Sequence, residues 1–197
     1  MKIKATVLVM AVLGFSSVYA NDVYIEQVGD SSTINITQQG LGNTIGDSTN
    51  PAFIGGGSNT VLIDQIGSNN IMQFTVNGAS TNLKLQATGG ANEQYVTCGT
   101  ILSPSCSGSA IEQIIQGDNN ILTATLGGGA NHTSKMNVVG DSNIITHTST
   151  STGATSAIIG VSGNMNNIGV TQSGMTAQSV QVNSTGNSNA ITINQSQ

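Results

Sequence analysis

The sequence predicts an all-β solenoid in which a strand-turn-strand unit, repeated about seven times, builds two facing parallel sheets. Three observations predict it. The segments "GDNNIL" (117–122), "GDSNII" (140–145), "GNMNNI" (163–168) and "GNSNAI" (186–191) open 23 residues apart, an internal repeat of the length that solenoids use. Within each unit the residues after the turn alternate apolar and polar, as at Ile34 and Ile36, Val61 and Ile63, Met72 and Phe74, Ile168 and Val170, and Ile191 and Ile193, which is the period of a strand buried on one face. The composition completes the picture: only 7% of residues are charged and 3% aromatic, yet aliphatic residues recur throughout, so the chain is neither an ordinary globular mix nor a charged disordered tail.

The first twenty residues, "MKIKATVLVMAVLGFSSVYA", carry Lys2 and Lys4, an apolar run from Ala5 to Phe15, and Val18 and Ala20 at the small-residue positions of a cleavage site. They read as a secretory signal too short to span a bilayer, so the mature chain is expected to begin near Asn21 and to be exported. No later stretch reaches the roughly 18 apolar residues of a membrane helix. Removing Lys2 and Lys4 leaves Lys84 and Lys135 against nine acids and takes the formal charge from −5 to −7. A nucleic-acid groove or an anionic membrane surface would need clustered Lys and Arg, so neither partner is expected.

Residues 21–197 form one repeat domain. Its turns open at Gly29, Gly40, Gly56, Gly67, Gly78, Gly89, Gly117, Gly128, Gly140, Gly153, Gly163, Gly174 and Gly186, and the third residue after the Gly is Asn in nine of these thirteen turns: 43, 59, 70, 92, 120, 131, 143, 166 and 189. Gly and Asn supply the positive backbone angles that tight reversals demand. Several strands close with Gln on the inward register, at Gln38, Gln65, Gln172 and Gln195. Stacked about 4.8 Å apart, equivalent amides can donate to and accept from one another, so an inward polar row is satisfied by the stacking itself. The residues expected to carry this stacking are Ser32, Gln38, Gly40, Gly42, Asn43, Asn59, Gln65, Asn70, Asn120, Asn143, Asn166, Asn189 and Gln195.

Two intervals exceed the pitch. A loop is expected near 47–55, where Pro51 cannot donate to a ladder, and another near 97–108, which contains "CGTILSPSC". Cys98 and Cys106 are the only cysteines, and export favours a disulfide between them over free thiols; a metal site would need more His or Cys ligands than the segment offers.

At 32–45, "STINITQQGLGNTI" reads Ser32, five residues, Gln38-x-Gly40-x-Gly42-Asn43, then Ile45. This resembles the curlin repeat of curli amyloid subunits, Ser-x5-Gln-x-Gly-x-Gly-Asn-x-Ala-x3-Gln, with Ile45 for the Ala and Thr49 for the final Gln. A looser copy runs Asn59-x5-Gln65-x-Gly67-x-Asn69-Asn70-x-Met72, and the others keep the Gly, the Asn and the apolar alternation. By pattern the resemblance covers nearly all of 22–197. It implies export through an outer-membrane secretion pore, assembly into extracellular fibres at the cell surface, a nucleating subunit as a partner, and roles in adhesion and biofilm matrix.

Self-assembly also follows from the terminal strands. "VYIEQVG" and "NAITINQSQ" both match the repeat and carry no capping helix or charged edge, so a head-to-tail contact between copies would propagate as a filament. The competing class is a monomeric extracellular solenoid that recognises a surface or glycan through its loops.

No enzyme is expected, and no cofactor. His132 and His147 are the only histidines, with no nucleophile arrangement around them, and are expected to face solvent. Asp30, Asp118 and Asp141 follow turn glycines and read as turn residues, since the calcium-binding nonapeptide pattern is absent.

Overall fold

The computed structural model describes residues 6–11, 20–31, 33–98, 108, 110–127 and 132–197. Ser32, Cys106, Gly128 and Asn131, singled out above, lie outside the described residues, as do 99–107 of the second expected loop.

After β1 (Thr6–Ala11), the chain winds through one rung after another. The first holds β2 (Asp22–Val23), β3 (Ile25–Val28) and β4 (Thr33–Gln39); the second holds β5 (Thr44–Ile45), β6 (Ala52–Gly55), β7 (Thr60–Leu62) and β8 (Gln65–Ile66). Then come β9 (Ile71–Asn77) with β10 (Asn82–Leu83), β11 (Glu93–Cys98) with β12 (Ala110–Ile111), β13 (Ile121–Leu126) with β14 (Thr133–Ser134), β15 (Ile144–Ser149) with β16 (Thr155–Ile158), and β17 (Asn167–Ser173) with β18 (Gln178–Gln181). A last strand, β19 (Ala190–Ser196), adds one further level.

Every strand pairing among the described residues is parallel and joins a strand to its equivalent in the next rung. One sheet runs β1-β4-β7-β10-β12-β14-β16-β18 with β8 beside β4; the other runs β19-β17-β15-β13-β11-β9-β5-β2, with β3 and β6 beside it. The solenoid of about seven turns predicted from the repeat is therefore the fold. Residues 6–11, part of the segment read as a signal, pair in parallel with β4 from Thr6 opposite Thr33 to Ala11 opposite Gln38.

The inward row of each strand fills the space between the sheets. Ile45, Met72, Leu122, Ile145 and Ile168 stack in one column, and Ile36, Ile63, Leu85, Met136 and Ile159 in the facing one, all buried. A strand alone could not bury its apolar face; each rung does so against its neighbours, which is the reason for the repetition. The core divides into two apolar clusters, one around Phe74 and one around Val170. Between them stands a polar pair at the β11 and β12 level, where Gln113 Nε2 donates to Gln94 Oε1 at 3.3 Å across the interior.

The first excursion is shorter than the expected 47–55. It ends at Pro51, because Ala52, Phe53 and Ile54 are all buried and return the chain to the ladder as β6. The Asp47 carboxylate closes this loop by accepting from the N–H and hydroxyl of Thr49 and the N–H of Asn50, bonds that hold its pKa below the ordinary value. Cys98 is buried and disulfide-bonded.

Candidate functional site

The repeated arc explains why one Asn column forms. Gly42, Asn69, Ala91, Asn119, Ser142, Met165 and Ser188 each take a left-handed conformation with φ between 54° and 67°. Such a residue reverses the chain just before the next inward position, and in all seven of these arcs that position is the Asn. The Gly opening each arc is held by its neighbour above: a Cβ on Gly40 would lie 1.7 Å from the carbonyl oxygen of Gly67, and one on Gly67 1.8 Å from that of Gly89. Only Gly allows consecutive arcs to stack at strand spacing.

These arcs bring Asn43, Asn70, Asn92, Asn120, Asn143, Asn166 and Asn189 into a single axial ladder. Each Oδ1 but that of Asn189 accepts twice from the next residue along it. Asn43 Oδ1 accepts from the backbone N–H and Nδ2 of Asn70 at 3.1 and 3.0 Å, and the same pattern repeats from Asn70 to Asn92. It continues from Asn92 to Asn120, Asn120 to Asn143, Asn143 to Asn166 and Asn166 to Asn189, with distances of 2.9 to 3.1 Å. The second Nδ2 hydrogen goes to an arc carbonyl, such as Gly67 O from Asn43 and Gly89 O from Asn70. A buried amide is costly unless bonded, and here the stack supplies the bonds.

Asn21 extends the ladder at its N-terminal end, its Oδ1 accepting from the Asn43 N–H at 3.0 Å. Asn21 and Asn92 were absent from the predicted stacking set. Asn92 obeys the turn rule, and the likeness of "NDVYIEQ" at 21–27 to "NAITINQ" at 189–195 is the signal that marks Asn21.

The predicted Gln positions divide between the two sheets. Gln38 Nε2 donates to Gln65 Oε1 at 2.5 Å in the first sheet, and Gln172 Nε2 donates to Gln195 Oε1 at 3.0 Å in the second. Asn59 does not join the ladder. It stands at the opposite arc, in register with Thr81, His132, Thr155 and Gln178, donating to Gly55 O at 3.0 Å while its buried Oδ1 meets no donor among the described residues.

Both histidines are inside, contrary to the expectation that they face solvent. His132 lies in that opposite arc, its Nδ1 2.6 Å from the Thr155 hydroxyl. His147 replaces an apolar residue at the centre of β15. Its Nε2 is 2.9 Å from Gln172 Oε1 and its Nδ1 3.1 Å from Ser134 Oγ, so the carbonyl oxygen takes the ring proton and the hydroxyl donates to the other nitrogen. Burial lowers the His147 pKa below its ordinary value, the Gln172 bond opposes this, and His132 nearby adds to the lowering. The alternation that buries aliphatics buries His147 too: a strand position is inward whatever residue occupies it.

On the exterior, Asp118 and Asp141 join Asn164 and Asn187 in a second, exposed ladder. Each side-chain oxygen accepts from the backbone N–H one rung nearer the N-terminus, at 2.6 to 2.8 Å. These carboxylates are thus engaged in turn bonding. Lys84 and Lys135 flank Glu112 on the outside of the first sheet at 3.8 and 3.6 Å, exposed pairs of little energetic consequence. Among the described residues no three His, Cys, Asp or Glu side chains group as metal ligands, and no helix is long and apolar enough to cross a membrane.

The two ends of the ladder differ. Among the described residues no group donates to Asn189 Oδ1, and the N–H and Nδ2 of Asn21 donate to none. Val23 and Ile25 at one end and Ile191 and Ile193 at the other are only partly buried, although each packs on the core. No family pattern, curated protein or solved structure matches the chain.

Proposed function

We propose that this protein is a structural subunit that assembles with copies of itself into extracellular β-rich fibres, of the curli type that the repeat at 32–45 resembles, for surface adhesion and biofilm matrix. The observation that carries the reading is the state of the ends. Both terminal rungs continue the interior pattern, with partly buried aliphatic rows and ladder amides whose bonding capacity no described residue fills. Parallel edges of this kind are templates for strand addition, and unlike ends that join do not close into a ring.

The fold by itself would not distinguish a fibre subunit from a monomeric solenoid, so the ends carry the reading. A leader that directs export, an outer-membrane pore and a nucleating subunit belong to the same proposal. Electron microscopy and fibre diffraction of the purified protein, followed after removal of denaturant, test it. The expected result is unbranched fibres with a meridional spacing near 4.7–4.8 Å. A lasting soluble monomer that preformed fibres do not recruit would overturn it and favour the loop-directed binding module.

A further inference from the structure

The fibre reading leaves open how one copy meets the next, and the strand registers answer this. Followed through the second sheet, position 22 aligns with 44, 71, 93, 121, 144, 167 and 190. Position 26 aligns in the same way with 53, 75, 97, 125, 148, 171 and 194. The two ends of this sheet, β2 with β3 and β19, are therefore equivalent strands on the first and last levels.

Resting on the fibre reading, we propose that copies join in one fixed register, with Asn21 of the incoming copy over Asn189 of the copy before it. Three features converge on this register. Among the described residues the Asn189 Oδ1 is an open acceptor on the axis, and Asn21 brings the N–H and Nδ2 that Asn70, Asn92, Asn120, Asn143, Asn166 and Asn189 each present to the residue before them. Val23 falls over Ile191 and Ile25 over Ile193, so the two half-covered rows close each other. Gln27 falls over Gln195, extending the amide row that Gln172 and Gln195 begin. On the outward face, Asp22 meets Ala190 and Glu26 meets Asn194, so no like charges are opposed. A shift of one residue would turn Val23 and Ile25 onto the outer face.

The first sheet is consistent with this contact. From Asn21 onward it has one strand level fewer than the second sheet, so the junction passes from β18 of one copy to β4 of the next across one strand position opposite β19. That position beside β4 is where β1 lies, and β1 pairs with β4 and not with β2 or β3. The ladder makes the contact polar: the open acceptor meets donors only head to tail, so all copies in a fibre point the same way.

Paired cysteines on the outward face test the register. In the full chain, Glu26→Cys with Asn194→Cys places the two Cα atoms of a junction about 4.8 Å apart, within disulfide range. Tyr24→Cys with Asn194→Cys sets them about 8 Å apart, beyond it. The two ends of one copy are about 34 Å apart, seven strand spacings, so either bond would be intermolecular. Fibres grown under mild oxidation are expected to give a ladder of covalent multimers on a non-reducing gel for the first pair and monomer for the second. Fibres whose first pair stays monomeric, or whose second pair cross-links as well, would overturn the register and leave the fibre reading standing. Failure of the unsubstituted protein to form fibres would overturn both.

Discussion

Replacing Asn143 by Ala tests whether the axial ladder stabilises the fold or merely accompanies it. Asn143 makes three side-chain bonds within the ladder: its Nδ2 donates to Asn120 Oδ1 at 3.0 Å, and its Oδ1 accepts from the N–H and Nδ2 of Asn166 at 3.0 and 2.9 Å. Truncation removes all three. The Asn166 Nδ2 keeps Gly186 O at 3.0 Å, but the Asn166 N–H is left buried without an acceptor. With about 1–3 kcal/mol for an orphaned buried donor and about 1 kcal/mol for each of the other bonds, the expected loss is about 3–5 kcal/mol.

Asn189→Ala is the internal comparison. Its Oδ1 accepts from no described residue, its Nδ2 bonds lie at the partly exposed last level, and Asn166 Oδ1 keeps the Asn189 N–H. That substitution should cost about 1 kcal/mol. Urea unfolding of the two variants under conditions that hold the protein monomeric measures both. Equal losses, or a loss below about 1 kcal/mol at Asn143, would refute the account, because a ladder that bears stability must be worth more inside than at its end.

Further outcomes follow from the same coordinates. Gly67→Ala puts a Cβ 1.8 Å from the Gly89 carbonyl at φ +106° and should lower thermal stability by more than about 2 kcal/mol, whereas Gly169→Ala meets nothing within 4 Å and should be neutral or slightly stabilising. Phe74→Ala empties one of the two buried phenylalanine sites among the described residues and should cost about 3–5 kcal/mol by the same melts. His147 is held below its ordinary pKa of 6.5 by burial and, less strongly, by His132, against the opposing Gln172 bond, so the unfolded chain takes up its proton first. Its contribution should be fully present above pH 6.5 and lost as pH falls toward the folded pKa; melts from pH 7.5 to 5 should show the decline in the parent protein and a shallower one in His147→Leu.

Much of the architecture was legible in the chain because it is written in period. The 23-residue spacing gave the rungs, the alternation gave the inward rows, and the Gly at each arc gave the stacking, since these depend on local geometry repeated at fixed pitch. Asn43, Asn70, Asn120, Asn143, Asn166 and Asn189 follow from that pitch, and the structure joins them with Asn92 and Asn21 into one column.

What only the tertiary structure decided is which polar residues meet. Asn59 obeys the same turn rule as Asn70, yet it belongs to the opposite arc, because the arcs alternate sides and equal spacing along the chain does not say on which side a turn lies. Gln94 and Gln113 pair across the interior from different sheets, a contact that depends on the rise of the chain between them and not on either neighbourhood. The histidines are inside because a strand position is inward by parity, and partners on other rungs satisfy what the residue type alone would place in water. The sequence determined the repeat, its rows and its turns; the stacking determined which hydrogen-bonding groups lie one strand spacing apart, and hydrogen bonds form only between groups that do.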